Sequence, residues 1–542
     1  MTRNQKRVGS LWIALLGLLV VSTGAQGVEV QSLPSEVASV VERLPIQHNG
    51  RVKPFDSFAR ETLDLITDSR TFGQKSPTET VLHIITYPEK WESEPLLSIP
   101  FRPLRLTLGL SAKEGHLSYN GLFAASFMKR LPPIVQKQQA QEKLTFLENE
   151  TMDLYSRFVA LHGLLTGELR MVPSGDDPES VWLKLTDREE IQLAWQGWLS
   201  AYREGNKEKM LKTLRHFTET VSAAHPSTLP KPWRLSLEVR YNQIALLHWA
   251  WMGYGLCALL FGVSLSKHRR NVRPVALVFL IGSLLVLHVG GIATRCVLAG
   301  RPPVSNFYES MLWLAFVTVL LGSLFELRNK NSYFGLASAI FGGVTLLVSE
   351  HVPLDPSVQP IVAVLRSNYW LSIHVLTIVA SYGVLTLATG IAHCYAGSFL
   401  FRKKGAPASL GESLYRVIQV GVILLSAGIM LGAVWANASW GRYWGWDPKE
   451  TWALITLLWF LALLHARKAG WIAGKGLAIG TILGFFLLLM TYYGVSFYLI
   501  GLHSYAGGHA TPIPPLLIVY LIAELIFIAL INPFLSPRKW VT

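Results

Sequence analysis

From Tyr241 onward the chain is a succession of apolar runs, at roughly 244 to 265, 275 to 293, 308 to 326, 333 to 349, 371 to 396, 417 to 435, 451 to 465, 475 to 499 and 514 to 533. An α-helix needs about 20 residues to cross the hydrocarbon core, so this pattern predicts about nine transmembrane helices. An odd number of crossings puts the end of the chain on the opposite side of the membrane from the residues before 244. The basic residues agree. Lys267, Arg269, Arg270 and Arg273, then Arg328 and Lys330, then Arg402, Lys403 and Lys404, then Arg467 and Lys468, then Arg538 and Lys539 fall in alternate loops. Those loops are expected on the cytoplasmic side. The other loops hold only scattered cations such as Arg295, Arg301, Arg366, Arg442 and Lys449.

Upstream, residues 28–243 mix charges with intermittent helical periodicity, as in Glu190–Trp195 and Met210–Leu214, and predict a mostly helical extracytoplasmic domain. Its most distinctive stretch runs from Leu44 to Asp56, where Asn49-Gly50, Pro45 and Pro54 point to turns. Residues 1–27 carry Arg3, Lys6 and Arg7, a short apolar run from Leu11 to Val21, and small residues at Ala25 and Gly27. That reads as a secretory signal or an uncleaved anchor, and either would export the domain that begins near Val28. The expected organisation is therefore 1–27 signal or anchor, 28–243 extracytoplasmic domain, 244–265 connecting helix, and 266–542 membrane domain. The predicted fold class is an all-α polytopic membrane protein with a mostly helical extracytoplasmic domain.

Composition sharpens this picture at two points. With 51% apolar and 15% charged residues, the net charge of +14 is explained by cytoplasmic loops, and a nucleic-acid partner is not expected. Cys257, Cys296 and Cys394 are scattered without a Cys-x-x-Cys pair, which excludes a disulfide framework, a redox pair and covalent haem attachment to this chain.

The loop from Trp435 to Trp452, WANASWGRYWGWDPKETW, lies on the predicted outer face, and six of its 18 residues are Trp or Tyr. Interfacial belts use one or two such residues per span end. This density among glycines suggests a flat apolar platform, formed by Trp440, Trp444 and Trp446 among others, for a planar ligand. Asp447, Pro448 and Glu450 have the form of an N-cap, a first-turn proline and a capping-box acid. The alternative, catalytic carboxylates, lacks a third partner in the local sequence.

The string WGRYWGWDPKETWALI closely resembles the tryptophan-rich WWD motif of the haem-handling protein family, in its CcsA (ResC) branch of cytochrome c biogenesis system II. The sister branches CcmC and CcmF share the Trp-rich core without the Asp-Pro-Lys-Glu-Thr-Trp continuation. Further matches are Pro303–Ser310, His374 within Tyr369–Val375 with Ser381-Tyr382 beyond, and Gly501–Tyr505. The segment around Gly50-Arg51 is similar to the region just upstream of the CcsA half in fused CcsBA proteins, whose long CcsB half has no counterpart here.

The resemblance implies haem b as the bound group and two sites for it. His374 begins one span and His503 comes after another, so both are expected at the outer surface beside the Trp loop, as axial iron ligands. Asp447 is a further candidate cofactor contact. His465 ends a span just before Arg467 and matches a second, membrane-embedded site near the cytoplasmic face. Its opposing ligand comes from the CcsB half in fused proteins; His393 lies at comparable depth and is the alternative within this chain. His351 and His509 sit in polar outer loops, while His248 and His288 lie nearer the outer face and read either as structural or as lining the path between the sites. Arg295, Arg366 and Arg442 are candidates for the haem propionates.

The activity the resemblance implies is covalent attachment of haem to apocytochrome c at the outer face of a bacterial inner membrane. A CcsB/ResB-like subunit is the expected partner, and no catalytic nucleophile or base from this chain is expected. A haem transporter or chaperone that serves a separate ligase is the alternative. The domain at 28–243 is left open between docking apocytochrome, a CcsB-like subunit or a thiol-reducing protein.

Overall fold

The computed structural model describes residues 28–531 apart from 70, 125–126, 141, 176, 178–179, 225–226, 352–353, 361–367, 402–407 and 504–512. The signal or anchor segment, Arg366, His509, Ser504-Tyr505 and the basic clusters at 402–404 and 538–539 lie outside the described residues. The chain divides into two compact units. One comprises residues up to Ile46 with Phe55–Lys143 and Glu150–Leu229; the other comprises Gln47–Pro54, Leu144–Asn149 and Pro230–Thr542.

The first unit is helical, with a short antiparallel strand pair, Leu97–Ser98 against His116–Leu117. The two segments marked by apolar periodicity lie in the helices Glu189–Glu204 and Lys207–Ala224. These are joined at Gly205, whose left-handed φ of 70° costs a glycine little and ends the first helix. Their apolar faces bury Trp195, Trp198, Leu214 and Phe217, with the Trp195 and Phe217 rings 5.0 Å apart. The helix Pro77–Thr86 starts on a capping box in which Ser76 and Glu79 satisfy each other's backbone amides. It carries the buried His83, whose Nδ1 accepts a 2.9 Å hydrogen bond from the Trp91 indole. Burial, reinforced by the Lys90 charge, lowers the His83 pKa to about 4, so this imidazole is neutral.

The second unit holds eight helices long and apolar enough to cross a membrane among the described residues. They are Pro232–Ser264, Val272–Ala299, Phe307–Asn329, Ser332–His351, Ser372–Phe399, Ser409–Trp440, Pro448–Lys468 and Gly474–Tyr498, called the first to eighth spans below. The ninth expected segment is the apolar helix Pro515–Ile531, described over 17 residues. The chain is thus an all-helical polytopic membrane protein. Its core forms where the fifth span packs on the third, sixth and eighth, burying Val384, Leu385, Leu387, Ile391, Leu414, Ile418, Leu425 and Ile482.

Two local features prepare the site. Turns of π-helix at Ser283–His288, Leu371–Val375 and Met490–Gly494 interrupt the second span, the entry to the fifth and the eighth. Such turns re-aim side chains and recur at functional sites; these carry His288, His374 and Tyr492 respectively. The Asn49-Gly50 turn is a β-hairpin between Pro45–His48 and Arg51–Pro54, with φ of 51° and 71° at its two central residues. Positive φ at both positions is what a tight two-residue hairpin demands, and Asn-Gly supplies it. Arg51 then makes a bidentate pair, 2.7 Å at each nitrogen, with Glu238 at the start of the first span.

Candidate functional site

The elements that meet at one end of the span bundle come from four separated stretches: the entry to the fifth span, the exit of the sixth, the entry to the seventh and the segment after the eighth. Antiparallel spans bring these together at the same end, and the first span also begins there. The basic residues 269–273, 328–330 and 467–468 fall at the other end.

His374 sits in the π-helical turn at Leu371–Val375, where its Nδ1 donates a 2.9 Å hydrogen bond to the carbonyl of Gly428. Its ring lies parallel to the Trp435 indole, 6.0 Å between centroids and 13° between planes. The sixth span makes room through Gly432, where an added Cβ would fall 2.6 Å from His374 Cε1. His503, 129 residues further on, places its ring 5.8 Å from the same Trp435 and 5.1 Å, edge to face, from Trp440. One buried indole is therefore the common neighbour of both imidazoles.

Asp447 does what its sequence form indicates and more. It caps the seventh span by accepting from the Lys449 amide at 2.9 Å, while Glu450 accepts from the amides of Asp447 and Gly445. The same Asp447 carboxylate also accepts from His503 Nδ1 at 2.9 Å and from the Leu502 amide at 2.6 Å. Burial alone would push the Asp447 carboxyl up; the His503 hydrogen bond and the two amides outweigh it and hold it below the usual carboxylate range. An ionised carboxylate only accepts, so His503 carries its proton on Nδ1, as His374 does against a carbonyl. Both rings thereby leave Nε2 as the lone-pair nitrogen, without a partner among the described residues.

The rest of the Trp loop is less enclosed. Trp444 and Trp446 meet edge to face at 5.7 Å, and Trp446 is 70% exposed on a backbone with φ of 55°, an uncommon conformation for a bulky residue. The Trp444 indole nitrogen is buried without a hydrogen-bond partner. Arg442 is exposed and makes no hydrogen bond or ion pair among the described residues. Arg295, by contrast, is fully committed: it donates to Glu309 at 2.9 Å and to the carbonyls of Pro356 and Ser357 at 2.7 and 2.8 Å. Of the three candidate propionate arginines, Arg442 is the one that the described residues leave available.

Lys449 and the Pro303–Ser310 segment tie into the same end. Lys449 donates to the Tyr492 carbonyl and to Ser496, the Tyr492 hydroxyl meets Ser310 at 2.6 Å, and Phe307 stacks on Tyr492 at 4.6 Å. Asn306 caps the third span, and Glu309 accepts from Ser305 and Arg295. These motifs are thus a scaffold behind the imidazoles.

The remaining histidines are placed elsewhere. His465 is exposed at the far end of the seventh span, with Nδ1 2.7 Å from the Leu461 carbonyl and Nε2 unpartnered among the described residues. His393 has both nitrogens engaged, Nδ1 with the Thr389 carbonyl at 2.8 Å and Nε2 with Glu524 at 2.9 Å, so it has no free lone pair in this arrangement. His288 is likewise held at both nitrogens, by the Tyr254 hydroxyl and the Leu312 carbonyl. His248 pairs with Glu350 at 2.8 Å, and His351 bonds back to the Leu347 carbonyl.

Comparison with known proteins covers this same stretch. Residues 304–503 match the family described as cytochrome C assembly protein, a range that ends on His503. Cytochrome c biogenesis protein CcsA of Trieres chinensis is 35% identical over 292 residues, 45% of this chain and 91% of that protein. CcsA of Pyropia yezoensis is 32% identical over 323 residues, half of this chain and 99% of that protein. The chain belongs to the CcsA family of cytochrome c biogenesis proteins. Protein NrfI of Wolinella succinogenes is 30% identical over 497 residues, 85% of this chain, so the likeness extends from the CcsA portion into the residues upstream of the spans. The chain spans 54% of the length of NrfI.

In this CcsA-family chain the residues present fit a haem: two imidazoles of the right tautomer, a shared indole surface, and, among the described residues, an orphaned indole N–H and an unpaired guanidinium. Sequence reasoning named His374, His503, Trp440, Trp444, Trp446 and Asp447, but missed Trp435 as the shared platform and Gly428 and Gly432 as the seat of His374. The signal for the glycines was present, since Gly428 and Gly432 form a small-xxx-small pair, the pattern that lets helices approach closely.

Proposed function

We propose that this chain is the haem-presenting component of a cytochrome c synthase, with His374 and His503 as axial ligands of haem b at the extracytoplasmic face of a bacterial inner membrane. The observation that carries this reading is the convergence of two imidazoles on Trp435, each with Nδ1 fixed by a hydrogen bond and Nε2 without a partner among the described residues. In the reaction a thiol of the apocytochrome adds across a haem vinyl group: a carbon–sulfur bond forms, the thiol hydrogen goes to the neighbouring vinyl carbon, and nothing leaves. What this chain supplies is position. The Trp435 and Trp440 faces exclude water, the two imidazoles hold the iron, and Arg442 is the donor available to a propionate. When the apocytochrome brings its own histidine, ligand exchange places its thiols beside the vinyl groups and loosens the grip on the product. His465, with Nε2 unpartnered among the described residues and on the least enclosed of the eight described spans, is assigned to a second haem site at the opposite end, completed by a CcsB-like partner subunit.

Absorption spectroscopy of the purified protein tests the outer site. The expected result is a six-coordinate low-spin haem that is altered in both His374→Ala and His503→Ala; identical spectra in all three proteins refute it. Thioether formation by the chain with its partner, assayed with and without apocytochrome c, then separates a synthase from an exporter that hands haem to another ligase.

A further inference from the structure

The two imidazoles assigned to iron differ in what holds their far nitrogen. His374 donates to a neutral backbone carbonyl, that of Gly428, at 2.9 Å. His503 donates at the same distance to Asp447, a carboxylate only 6% exposed that also accepts from the Lys449 and Leu502 amides. The approach is close because residue 501 is glycine: a Cβ there would lie 2.4 Å from Asp447 Oδ2. A hydrogen bond to an anion draws the Nδ1 proton further off the ring than one to a carbonyl does, and leaves Nε2 richer in electrons.

Resting on the haem-ligand reading, we propose that Asp447 is a positioning residue that makes the axial pair unequal, with His503 the stronger donor and His374 the weaker. A richer nitrogen favours ferric over ferrous iron, so Asp447 lowers the haem midpoint potential and concentrates retention of oxidised haem on His503. It also couples that ligand to the fold, because the carboxylate holding the imidazole is the N-cap of the seventh span.

Asp447→Asn removes the negative charge but keeps one carbonyl oxygen, which caps the helix and accepts from His503; the amide nitrogen in place of Oδ2 cannot accept from the Leu502 amide, so that bond is lost as well. The experiment is a redox titration of the haem in the full-length protein, wild type against Asp447→Asn, with thermal unfolding measured on both. Expected are an unchanged low-spin spectrum, an unfolding midpoint lowered only by the lost Leu502 bond, a positive shift of the haem midpoint potential, and roughly tenfold weaker retention of ferric haem, at the lower end of what loss of a ligand's hydrogen-bond partner costs. Glu450→Gln, which alters the same helix start without touching His503, is expected to leave the potential where it was. A wild-type potential in Asp447→Asn, or an equal shift in Glu450→Gln, overturns the inference while leaving the haem site standing. A wild-type protein that takes up no haem overturns both.

Discussion

Gly432→Ala is the sharpest perturbation of the candidate site, because it adds one methyl group and changes no polar atom. The new Cβ would fall 2.6 Å from His374 Cε1, 3.1 Å from Nδ1 and 3.2 Å from Nε2. Carbon atoms in contact prefer about 3.5–4.0 Å, so the ring must retreat by roughly 1 Å. Displacement of that size breaks the 2.9 Å bond from Nδ1 to the Gly428 carbonyl and the parallel packing on Trp435. Overpacking of this kind costs about 1–3 kcal/mol, so the protein should fold but hold its imidazole out of place. Gly421→Ala on the same span is the control: its Cβ would meet Leu385 Cδ2 at 2.6 Å, a comparable crowding away from His374. Both variants, purified from haem-replete cells, are compared by absorption spectrum and thermal unfolding. The expected outcome is similar destabilisation in both, with loss of the low-spin six-coordinate signature in Gly432→Ala alone. If Gly432→Ala retains that signature, or Gly421→Ala loses it equally, the seat assigned to His374 is wrong.

Buried polar groups supply three further tests. Glu309→Ala strips the partner from Arg295, whose side chain is 1% exposed, and should cost about 3–5 kcal/mol by leaving a buried charge uncompensated; thermal unfolding in detergent reads it, and a cost under about 1 kcal/mol contradicts it. Glu524→Ala should loosen the helix Pro515–Ile531, whose buried residues are Glu524 and Ile531, by about 0.6–1.7 kcal/mol, whereas Glu524→Gln keeps a hydrogen bond to His393; cysteine labelling along that helix compares the two. In the first unit, His83 has a folded pKa of about 4 against an ordinary 6.5, so the unfolded chain binds its proton first. Stability is then at its full value above pH 6.5 and falls as pH drops toward 4, by about 2–3 kcal/mol. Hydrogen exchange in the helix Pro77–Thr86 of the full chain should accelerate over that window, and His83→Gln should remove the acceleration.

Most of the architecture was legible because it is written in local signals. Apolar runs marked the spans, and Asn49-Gly50 and Asp447-Pro448 marked a turn and a helix start by backbone preference alone. The site was legible only in part, for a physical reason. Asp447 read as an N-cap lacking a third partner because that partner, His503, is 56 residues away, and pairing at that range depends on how the seventh and eighth spans pack. Trp435 looked like one aromatic among many, since nothing local marks it as the ring both histidines touch. His393 could be placed by depth, but depth does not show that Glu524, 131 residues on, occupies its Nε2.

The arrangement also links motifs that are far apart in this chain. A proposed ligand such as His503, in the segment after the eighth span, would lose conformational freedom on binding iron unless something had already restricted it. Asp447 does so by joining that segment to a helix start, and Lys449, on the same turn, reaches back to the Tyr492 carbonyl and Ser496 in the span that leads to His503. Tyr492 in turn is held by Ser310 and Phe307 at the entry of the third span. The Trp loop, the segment ending at His503 and the Pro303–Ser310 entry are therefore one connected frame, and each would contribute to the proposed iron site through the next rather than independently. Pairs of substitutions drawn from different motifs, such as Lys449→Met with Ser310→Ala, should accordingly be non-additive in haem retention. Additive losses, measured in a double-mutant cycle, would mean the motifs act as separate contacts.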